Sequence, residues 1–382
     1  MSSNIRVKLR KNISTLKFLF ACFVLIIYCE WIHNYIVFSQ CDWPHLSSNY
    51  VDLSAGDNEK EVRALVITDT HLLGSTNSYW LDKVLREWQM YRAFQTAVYI
   101  HQPDVVFILG DLTDEGQYCD EKEFEEYIER FRTVFAVPSD TEMYVVVGNH
   151  DTGFHYRITP HLNKRFVNGF NSSDVRIVTI RGNLFILVNS MALEGDGCFL
   201  CKAAEVRLAE IEKTLKCLKY NHTCSDTTLK KYSRPILITH FPLYRQNEEQ
   251  CNEPDEAPYL TKIEEYKEGW DCLSKNSTYK ILNQIEPKLV LNGHSHHGCT
   301  LKLPVGDGEE ITISSFNWRN KNNPSYGLFV FGNDNYAFYK CLMPRQSSWI
   351  CFYVLGGSIL FLCTSYGTYL RKRARGCISN AL

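Results

Sequence analysis

Apolar runs alternate with amphipathic stretches along the first half of this chain. Three strongly apolar runs predict strands that are buried on both faces. They are residues 62–68, 104–109 and 143–147. Between them, residues 79–100 and 121–134 repeat apolar side chains at helical spacing. Strands that alternate with helices in this way indicate a layered α/β fold.

The second half repeats this pattern less regularly. Residues 176–180 and 184–188 predict a β-hairpin, and residues 203–218 predict an amphipathic helix. Residues 248–278 are charged, contain cysteines and have no clear period, so we expect a long excursion loop that acts as a lid. Further strands are expected at residues 235–239, 288–291, 311–316 and 326–339.

Polar motifs stand at or near the ends of these apolar runs. In open α/β sheets, functional groups gather at the carboxyl ends of strands, so we expect these motifs to meet. Their carboxylate, imidazole and amide donors suit hard or borderline divalent ions. As an ordered set they indicate metal-assisted phosphoester cleavage. The motifs are Asp69-Thr70-His71, Gly110-Asp111, Gly148-Asn149-His150-Asp151, Thr239-His240, Gly293-His294 and His296.

Phosphoester cleavage requires a nucleophile at neutral pH and relief of the charge on phosphorus. Two metal ions about 3.5–4 Å apart supply both. Asp111 is the expected bridging carboxylate, since Gly110 permits a sharp turn after the strand. Asp69 and His71 are expected to alternate along an extended segment and to reach one ion together. Asn149 would give a neutral amide oxygen to the second ion.

The two residues after Asn149 are the expected catalytic pair. His150 should remain off the metals and protonate the leaving alkoxide, because an imidazole titrates near neutrality. Asp151 is expected to orient His150 or a neighbouring group. Each motif alone could be a turn or a surface loop. The ordered set favours a catalytic centre.

Two terminal segments are long and apolar enough to cross a bilayer, residues 16–38 and 348–370. The first could instead be a signal peptide, although no cleavage motif follows it. Basic residues precede the first segment and follow the second, which predicts cytosolic termini at residues 1–15 and 371–382. The loop between them would then be luminal, with a stalk at residues 39–61 and a catalytic domain at residues 62–347.

Cysteines and sequons agree with a luminal loop. Ten of the 15 cysteines lie between the two apolar segments, an even number that suits disulfides. Cys198 and Cys201 could be a redox or zinc pair, but the nearby Cys217 and Cys224 favour structural disulfides. Sequons predict N-glycosylation at Asn171, Asn221 and Asn276. The net charge of −2 lacks the basic surplus of a nucleic-acid-binding protein, so we expect no nucleic-acid partner.

The ordered motifs resemble the signature of the calcineurin-like metallophosphoesterase superfamily over residues 62–330. That signature is D-x-H, G-D, G-N-H-[DE], a lone His and G-H-x-H. The resemblance implies a four-layer α-β-β-α sandwich between two transmembrane helices, with His150 as the general acid. The two implied metal shells are Asp69, His71, Asp111 and His296 for one ion, and Asp111, Asn149, His240 and His294 for the other.

Within the superfamily, the two spans and the sequences GDLTDEG, GNHDTGFH, THFPLYR and NGHSHHG are most similar to a branch that remodels GPI anchors. This resemblance implies that manganese is the metal and that an ethanolamine-phosphate side branch is removed from a mannose of the GPI glycan. It also implies that GPI-anchored proteins are substrates and cargo-export receptors are partners. The implied location is the membrane of endoplasmic reticulum exit sites, the ER-Golgi intermediate compartment and the cis-Golgi.

Two alternatives remain open from the sequence. The same metal centre could serve a luminal phosphatase or phosphodiesterase for nucleotides or lipid headgroups. A non-catalytic trafficking adaptor is a different class, although such adaptors typically lose ligands that are all present here. Substrate contacts are expected among residues that follow the motif strands, namely Phe154, His155, Tyr244, Arg245, His297, Trp318 and Arg319.

Overall fold

The computed structural model describes the backbone of residues 2–46, 61–76, 78–220, 224 and 232–379. The chain divides into a helical unit, made of residues up to 40 and from 344 onward, and a larger unit of residues 41–343. The α-helices in the described ranges are α1 (Ser2–Ile27), α2 (His33–Phe38), α3 (Trp80–His101), α4 (Glu121–Val134), α5 (Asn149–Thr152), α6 (Pro160–Phe170), α7 (Phe199–Tyr220), α8 (Tyr259–Lys262), α9 (Lys275–Ile285) and α10 (Gln346–Ser379).

The larger unit contains two sheets. One has the strand order β11-β10-β1-β2-β3, and the other has the order β4-β5-β6-β7-β9-β8. Pairing is parallel from β1 to β3 and from β5 through β6 and β7 to β9. The strands are β1 (Val62–Ile67), β2 (Val105–Ile108), β3 (Glu142–Val145), β4 (Val175–Ile180), β5 (Asn183–Val188), β6 (Ile236–Ile238), β7 (Leu289–Asn292), β8 (Cys299–Lys302), β9 (Glu309–Thr312), β10 (Ser325–Phe331) and β11 (Tyr336–Leu342).

The main core lies between the two sheets. Alternate residues of β1, such as Ala64 and Val66, join a buried cluster that includes Phe185 of β5 and Ile238 of β6. The intervening Leu65 is also fully buried, which is why β1 reads as a continuous apolar run. Helices α3 and α4 pack on each other, and so do α7 and α9. The predicted α-β-β-α layering is therefore confirmed.

The amphipathic helix α4 shows how the sequence specifies one outer element. Its apolar residues Phe124, Tyr127 and Phe131 recur every three or four positions and are all buried. The Asp120 side chain caps the helix by accepting a hydrogen bond from the Glu123 amide at 2.8 Å. The buried face of α4 packs on α6, since Phe124 and Phe131 both contact the ring of Phe170.

The elements predicted in the first half agree with the structure within two residues at each end. In the second half, the single strand expected at residues 326–339 is a hairpin of β10 and β11, and α7 begins before residue 203. Helix α6 and strand β8 were not predicted, although Leu162, Phe166 and Phe170 of α6 recur at helical spacing. The expected excursion loop at residues 248–278 contains α8 and the start of α9.

The expected stalk differs from the structure at its first residues. Cys41 forms a disulfide with Cys341 at the end of β11, and the Trp43 indole donates a hydrogen bond to the His101 carbonyl at 3.0 Å. Residues 41–46 therefore belong to the larger unit rather than to a free linker. The rest of the expected stalk, residues 47–60, lies outside the described residues.

Two helices in the helical unit are long and apolar enough to cross a membrane. The first is Thr15–Phe38, which runs from α1 through a π-helical turn at Tyr28–Ile32 into α2. The second is Gln346–Leu370 of α10, and both are close to the predicted bounds. Only about 6% of each apolar window is buried, so these helices are not core elements of a soluble domain. Their composition and exposure indicate membrane association.

The cysteine pattern is partly as expected. Disulfides join Cys41 to Cys341, Cys217 to Cys224, and Cys251 to Cys299. Cys198 and Cys201 are not joined, contrary to the favoured interpretation, and their sulfur atoms lie 2.7 Å apart. Of the sequon residues, Asn171 and Asn276 are exposed, and Asn221 lies outside the described residues.

Candidate metal centre

The polar motifs meet where the strands of both sheets end. Asp69 follows β1, Asp111 follows β2, Asn149 follows β3, His240 follows β6 and His294 follows β7. Each loop is short, so its position is set by the buried strand before it. This arrangement follows from parallel pairing, which places the carboxyl ends of neighbouring strands at one edge.

One group of ligand-type side chains consists of Asp69, His71 and His296. The Nε2 atoms of the two histidines lie 3.1 Å apart, and the His296 Nε2 lies 3.6 Å from Asp69 Oδ1. His71 turns its other nitrogen, Nδ1, toward Asp114 Oδ1 at 3.2 Å. The carboxylate thereby fixes the ring so that Nε2 faces the centre.

A second group surrounds Asp111. The His240 Nε2 lies 3.3 Å from Asp111 Oδ2 and 3.2 Å from the amide oxygen of Asn149. His240 donates its Nδ1 hydrogen to the Leu109 carbonyl at 2.7 Å. His294, the third imidazole of this centre, donates its Nε2 hydrogen to the Trp270 carbonyl at 2.8 Å, which leaves Nδ1 free.

Asp111 also lies 3.6 Å from His71 Nε2 through its Oδ2 atom. The same carboxylate is therefore within reach of both groups, as the bridging role expected for it requires. Its other oxygen, Oδ1, accepts a hydrogen bond from the His150 amide at 2.8 Å. That bond fixes the carboxylate plane between the two groups.

Two glycines of the motifs are required by close packing against this centre. A Cβ atom on Gly148 would lie 2.2 Å from Asp111 Oδ1. A Cβ atom on Gly293 would lie 2.0 Å from the Thr68 hydroxyl oxygen, which hydrogen-bonds Asp69. Any side chain at either position would displace a carboxylate of the centre, so these glycines are part of the site.

The residues present fit two divalent metal ions. The Oδ2 atom of Asp69 is held by the Thr68 hydroxyl and the His294 amide, whereas its buried Oδ1 atom has no hydrogen-bond partner. Burial alone would lower the pKa of His240, but Asp111 raises it to about 9. The anionic groups hold a proton on the buried His240 ring. A bound cation would replace the positive charge of that proton. The donors are all oxygen and nitrogen, as hard or borderline ions prefer.

His150 stands beside this centre at the cavity wall. Its Nδ1 atom lies 2.8 Å from the Asp114 carbonyl oxygen, which can only accept a hydrogen bond. The Nε2 atom is therefore the one available for proton transfer. His150 is also partly exposed, with 37% of its side chain accessible, whereas His71 and His240 are buried.

Of the two roles expected for Asp151, its contacts favour the second, the orientation of neighbouring groups. Its carboxylate accepts hydrogen bonds from the Thr113 amide and hydroxyl and from the Gly148 amide, at 2.9–3.0 Å. These bonds join the loop after β2 to the loop after β3. The backbone carbonyl of Asp114, not Asp151, orients His150. Asp151 is therefore a positioning residue that fixes two loops relative to each other.

The extended conformation expected at Asp69 and His71 is not found in the structure. Strand β1 ends at Ile67, and both residues have left-handed backbone angles, with φ of 51° and 42°. Their side chains converge because the backbone curls after the strand rather than alternating along it. Hydrogen bonds from the Asp69 and His71 amides to the loop after β2 stabilise this curl.

A cavity of about 450 Å³ opens over the metal-ligand groups. Of the expected substrate contacts, it includes only Phe154. The ring of Trp270 stacks on Phe154 with a centroid distance of 4.3 Å. Three carboxyl side chains, Glu264, Glu265 and Asp271, complete the wall. These residues were missed because the segment that carries them shows no periodicity.

The other expected contacts lie away from this cavity for identifiable reasons. Arg245 is buried in an ion pair with Glu248 at 2.8 Å, and Trp318 is buried in the core. Tyr244 lies under the Lys275 ammonium, which is 5.7 Å from its ring centre. His155 contacts Met191 and Asp196, described below.

His297 and Arg319 also fall outside the cavity wall. His297 lies 3.4 Å from the Lys321 ammonium, and burial lowers its pKa to about 4. Arg319 donates to Asp114 Oδ2 at 2.8 Å. Arg319 therefore affects the centre through the carboxylate that orients His71.

Comparison of the sequence with protein families and relatives supports the same assignment. The calcineurin-like phosphoesterase family matches residues 62–298. Metallophosphoesterase 1 of Gallus gallus is 41% identical over 89% of this chain and 87% of its own length. The Metallophosphoesterase 1 homolog of Drosophila melanogaster is 42% identical over 94% of this chain and 95% of its own. Among solved structures, "GAP50 the anchor in the inner membrane complex of Plasmodium" has a TM-score of 0.45, 11% identity, and coverage of 77% of this chain and 94% of that one.

The family match extends over the motifs from Asp69 to His296, and the relatives extend over nearly the whole chain. The fold and the converging ligand groups are those of a metal-dependent phosphoesterase. This chain belongs to the calcineurin-like phosphoesterase family, together with the Metallophosphoesterase 1 proteins.

Proposed function

We propose that this enzyme is a two-metal phosphodiesterase that removes an ethanolamine-phosphate side branch from a mannose of GPI anchors. The observation that carries the proposal is the charge of the cavity over the metal-ligand groups. Glu264, Glu265 and Asp271 line it, and none of its lining residues is a lysine or an arginine. A cavity of this charge favours a phosphodiester that also carries a cation.

The ammonium group of ethanolamine phosphate is such a cation. Among the described residues, neither Glu264 nor Glu265 has an ion-pair partner, so both carboxylates are available to a ligand. The half-exposed Trp270 offers an aromatic face beside them, which attracts cations and stacks on sugar rings. A nucleotide, with its additional negative charge, would be repelled by the same wall.

Residues of the chain would divide the chemistry as follows. Asp69, His71, Asp111 and His296 would hold one ion, and Asp111, Asn149, His240 and His294 would hold the other. When bound, the two ions supply a hydrolytic nucleophile and offset charge on the phosphate. We propose manganese, which accepts this oxygen and nitrogen donor set.

His150 would complete the reaction as the general acid. Its Nδ1 atom is committed to the Asp114 carbonyl, and its Nε2 atom would give a proton to the mannose oxygen as the bond to phosphorus breaks. The products would be the free mannose hydroxyl and ethanolamine phosphate. Loss of such a proton donor typically lowers the rate by about 10²–10⁴-fold.

The two apolar helices support action on a membrane-anchored substrate. We propose that the larger unit is luminal, because basic residues flank both helices on their outer ends and three disulfides occur within that unit. GPI-anchored proteins at ER exit sites, the intermediate compartment and the cis-Golgi would be the substrates, and cargo-export receptors would be partners. N-glycans at Asn171 and Asn276 would fit their exposed positions.

The test uses the full-length protein in detergent and measures release of ethanolamine phosphate from a defined GPI glycan. Reactions contain manganese or a chelator, and the His150→Ala protein is run in parallel. A second substrate has the same phosphodiester with its amine acetylated, and a third is a nucleotide diester. We expect metal-dependent release that is lost in the variant and slowed by acetylation.

The outcomes separate the competing functions. Equal cleavage of all three substrates would support a general luminal phosphodiesterase and would reject the GPI assignment. Cleavage of none of them, with normal export of GPI-anchored proteins in cells that contain only His150→Ala, would support the adaptor. Activity with zinc instead of manganese would change the metal assignment but not the substrate assignment.

A further inference from the structure

A second group of metal-ligand side chains lies outside the catalytic centre. His155, Asp196, Cys198 and Cys201 each present a donor atom, and these four atoms all lie within 4.8 Å of one another. They come from two parts of the chain that are about 40 residues apart, the turn after α5 and the loop that enters α7. The phosphoesterase reaction described above uses none of them.

The hydrogen bonds of His155 place a shared cation between its Nε2 atom and Asp196. Its Nδ1 atom faces the Met191 carbonyl at 2.9 Å, and a carbonyl only accepts hydrogen bonds, so Nδ1 carries the hydrogen. The Nε2 atom of the neutral ring then presents a lone pair to Asp196 Oδ2 at 2.8 Å. Two acceptors at this distance require a cation between them, which is either a proton or a metal ion.

The cysteines supply the softer half of the group. Cys198 precedes α7 and Cys201 lies in its first turn, and the Cys201 amide donates to the Cys198 sulfur at 2.9 Å. The Cys201 sulfur lies 3.9 Å from His155 Nδ1, the nitrogen that faces the Met191 carbonyl. Cysteine, histidine and aspartate side chains are all zinc ligands, and four of them match the tetrahedral coordination of structural zinc.

We propose that His155, Asp196, Cys198 and Cys201 bind a zinc ion separate from the catalytic pair. Two thiolates, an imidazole and a carboxylate complete four-coordinate zinc, and the Met191 carbonyl fixes the histidine tautomer from outside. The two sulfur atoms separate around the ion, while the His155 and Asp196 donors already face each other. The zinc ion replaces the proton that His155 and Asp196 would otherwise share.

The proposed zinc would connect to the catalytic cavity through one residue. Phe154, adjacent to His155, lines the cavity and stacks on Trp270. Zinc would therefore fasten the loop before α7 to the segment that carries this ring. The role is structural, and no step of the phosphoester reaction passes through it.

Cobalt substitution distinguishes this site from the catalytic centre. The full-length protein is loaded with Co²⁺, and the near-ultraviolet sulfur-to-cobalt charge-transfer absorption is recorded. The catalytic centre offers only oxygen and nitrogen donors, so this absorption reports on the cysteine site alone. We expect the wild-type protein to show it, and the zinc-loaded protein to contain one more equivalent of metal than the Cys198→Ser/Cys201→Ser variant.

Two control variants complete the design. Cys119→Ser removes a half-buried free thiol outside the group and should retain the absorption. Asp111→Asn should lose catalytic metal and retain the absorption. Absorption that persists in the double serine variant would overturn the proposal.

Mass spectrometry of the unreduced wild-type protein gives an answer that does not depend on the folding of any variant. Alkylation of Cys198 and Cys201 after chelation supports the zinc site. A Cys198–Cys201 disulfide, together with the absence of sulfur-to-cobalt absorption, would overturn it.

Discussion

Five of the expected metal ligands have left-handed backbone angles, which non-glycine residues rarely adopt. Asp69, His71, Asp111, His294 and His296 have φ between 42° and 70°. Such conformations cost on the order of 1 kcal/mol each and occur where surrounding structure fixes them. Here the buried strands and the cross-loop hydrogen bonds fix them. The centre is therefore preorganised by the fold and does not form merely by attraction to an ion.

Asp151 and His150 are neighbours whose substitution should have different effects. Asp151→Asn introduces a donor where the Thr113 and Gly148 amides already donate, so we expect a loss of about 2–3 kcal/mol in unfolding free energy. His150→Ala should leave the melting temperature nearly unchanged and lower kcat. Thermal unfolding and a pH–rate profile of both variants test this. A normal melting temperature for Asp151→Asn, with a changed pH–rate profile, would restore a catalytic role to Asp151.

Asp114 should control metal affinity without being a ligand. Burial opposes its ionisation, but His71 and Arg319 lower its pKa to about 2, so the carboxylate stays charged and fixes the His71 ring. Substitution of such orienting groups typically lowers metal affinity about 10–100-fold. Asp114→Asn should therefore shift the manganese activation curve to higher concentration. Arg319→Met, which leaves the carboxylate in place, should shift it less, and equal shifts would contradict this role.

At the scale of elements, helix α3 contains a buried histidine near its C-terminal end. His101 lies 2.8 Å from the Tyr326 hydroxyl of β10, and burial lowers its pKa to about 4 despite the nearby Asp42. The unfolded chain would titrate this group near pH 6.5. Between these values the unfolded state binds more protons, so stability should fall as the pH decreases.

His101→Gln tests this contribution, because glutamine can keep a hydrogen bond to Tyr326 and does not titrate. Between pH 6.5 and 5 we expect the wild-type protein to lose about 2 kcal/mol more than the variant. Melting temperatures of both proteins at the two pH values give the comparison. If the melting temperatures of the two proteins fall equally between these pH values, His101 is not the group that causes the loss of stability.

The elements differ in how far the sequence predicts them. Strand β1 was predicted because burial on both faces makes it strongly apolar, and helix α4 was predicted because burial of one face imposes a helical period on its residues. The Glu264–Asp271 wall of the cavity was not, because irregular segments are fixed by tertiary contacts such as the Trp270–Phe154 stack. The residue types that converge at the centre, and their order along the chain, were predicted from the sequence. Their left-handed conformations and the loop-joining role of Asp151 required three-dimensional contacts that no local pattern encodes.

At the scale of the whole molecule, the Cys41–Cys341 disulfide joins the two ends of the larger unit. It spans 300 residues, whereas Cys217–Cys224 spans seven. In the chain-entropy model, closing these loops stabilises the folded state by roughly 5–6 and 2–3 kcal/mol respectively. The Cys41–Cys341 disulfide therefore limits the conformational freedom of nearly the entire larger unit in its unfolded state.

Removing each bond by paired serine substitution tests this difference. Cys41→Ser/Cys341→Ser should lower the melting temperature more than Cys217→Ser/Cys224→Ser. Thermal unfolding of both variants under non-reducing conditions measures the effect. A larger decrease for the short-loop variant would mean that local packing around Cys217 dominates.

The same bond makes the backbone from Cys41 to Cys341 a closed covalent ring. A protease that cuts this ring once produces two polypeptides, each of which keeps one of the apolar terminal helices. Neither piece can diffuse away while the disulfide is intact. A nicked enzyme would run as one species on a non-reducing gel and as two after reduction, and it would remain in its membrane with its catalytic residues together.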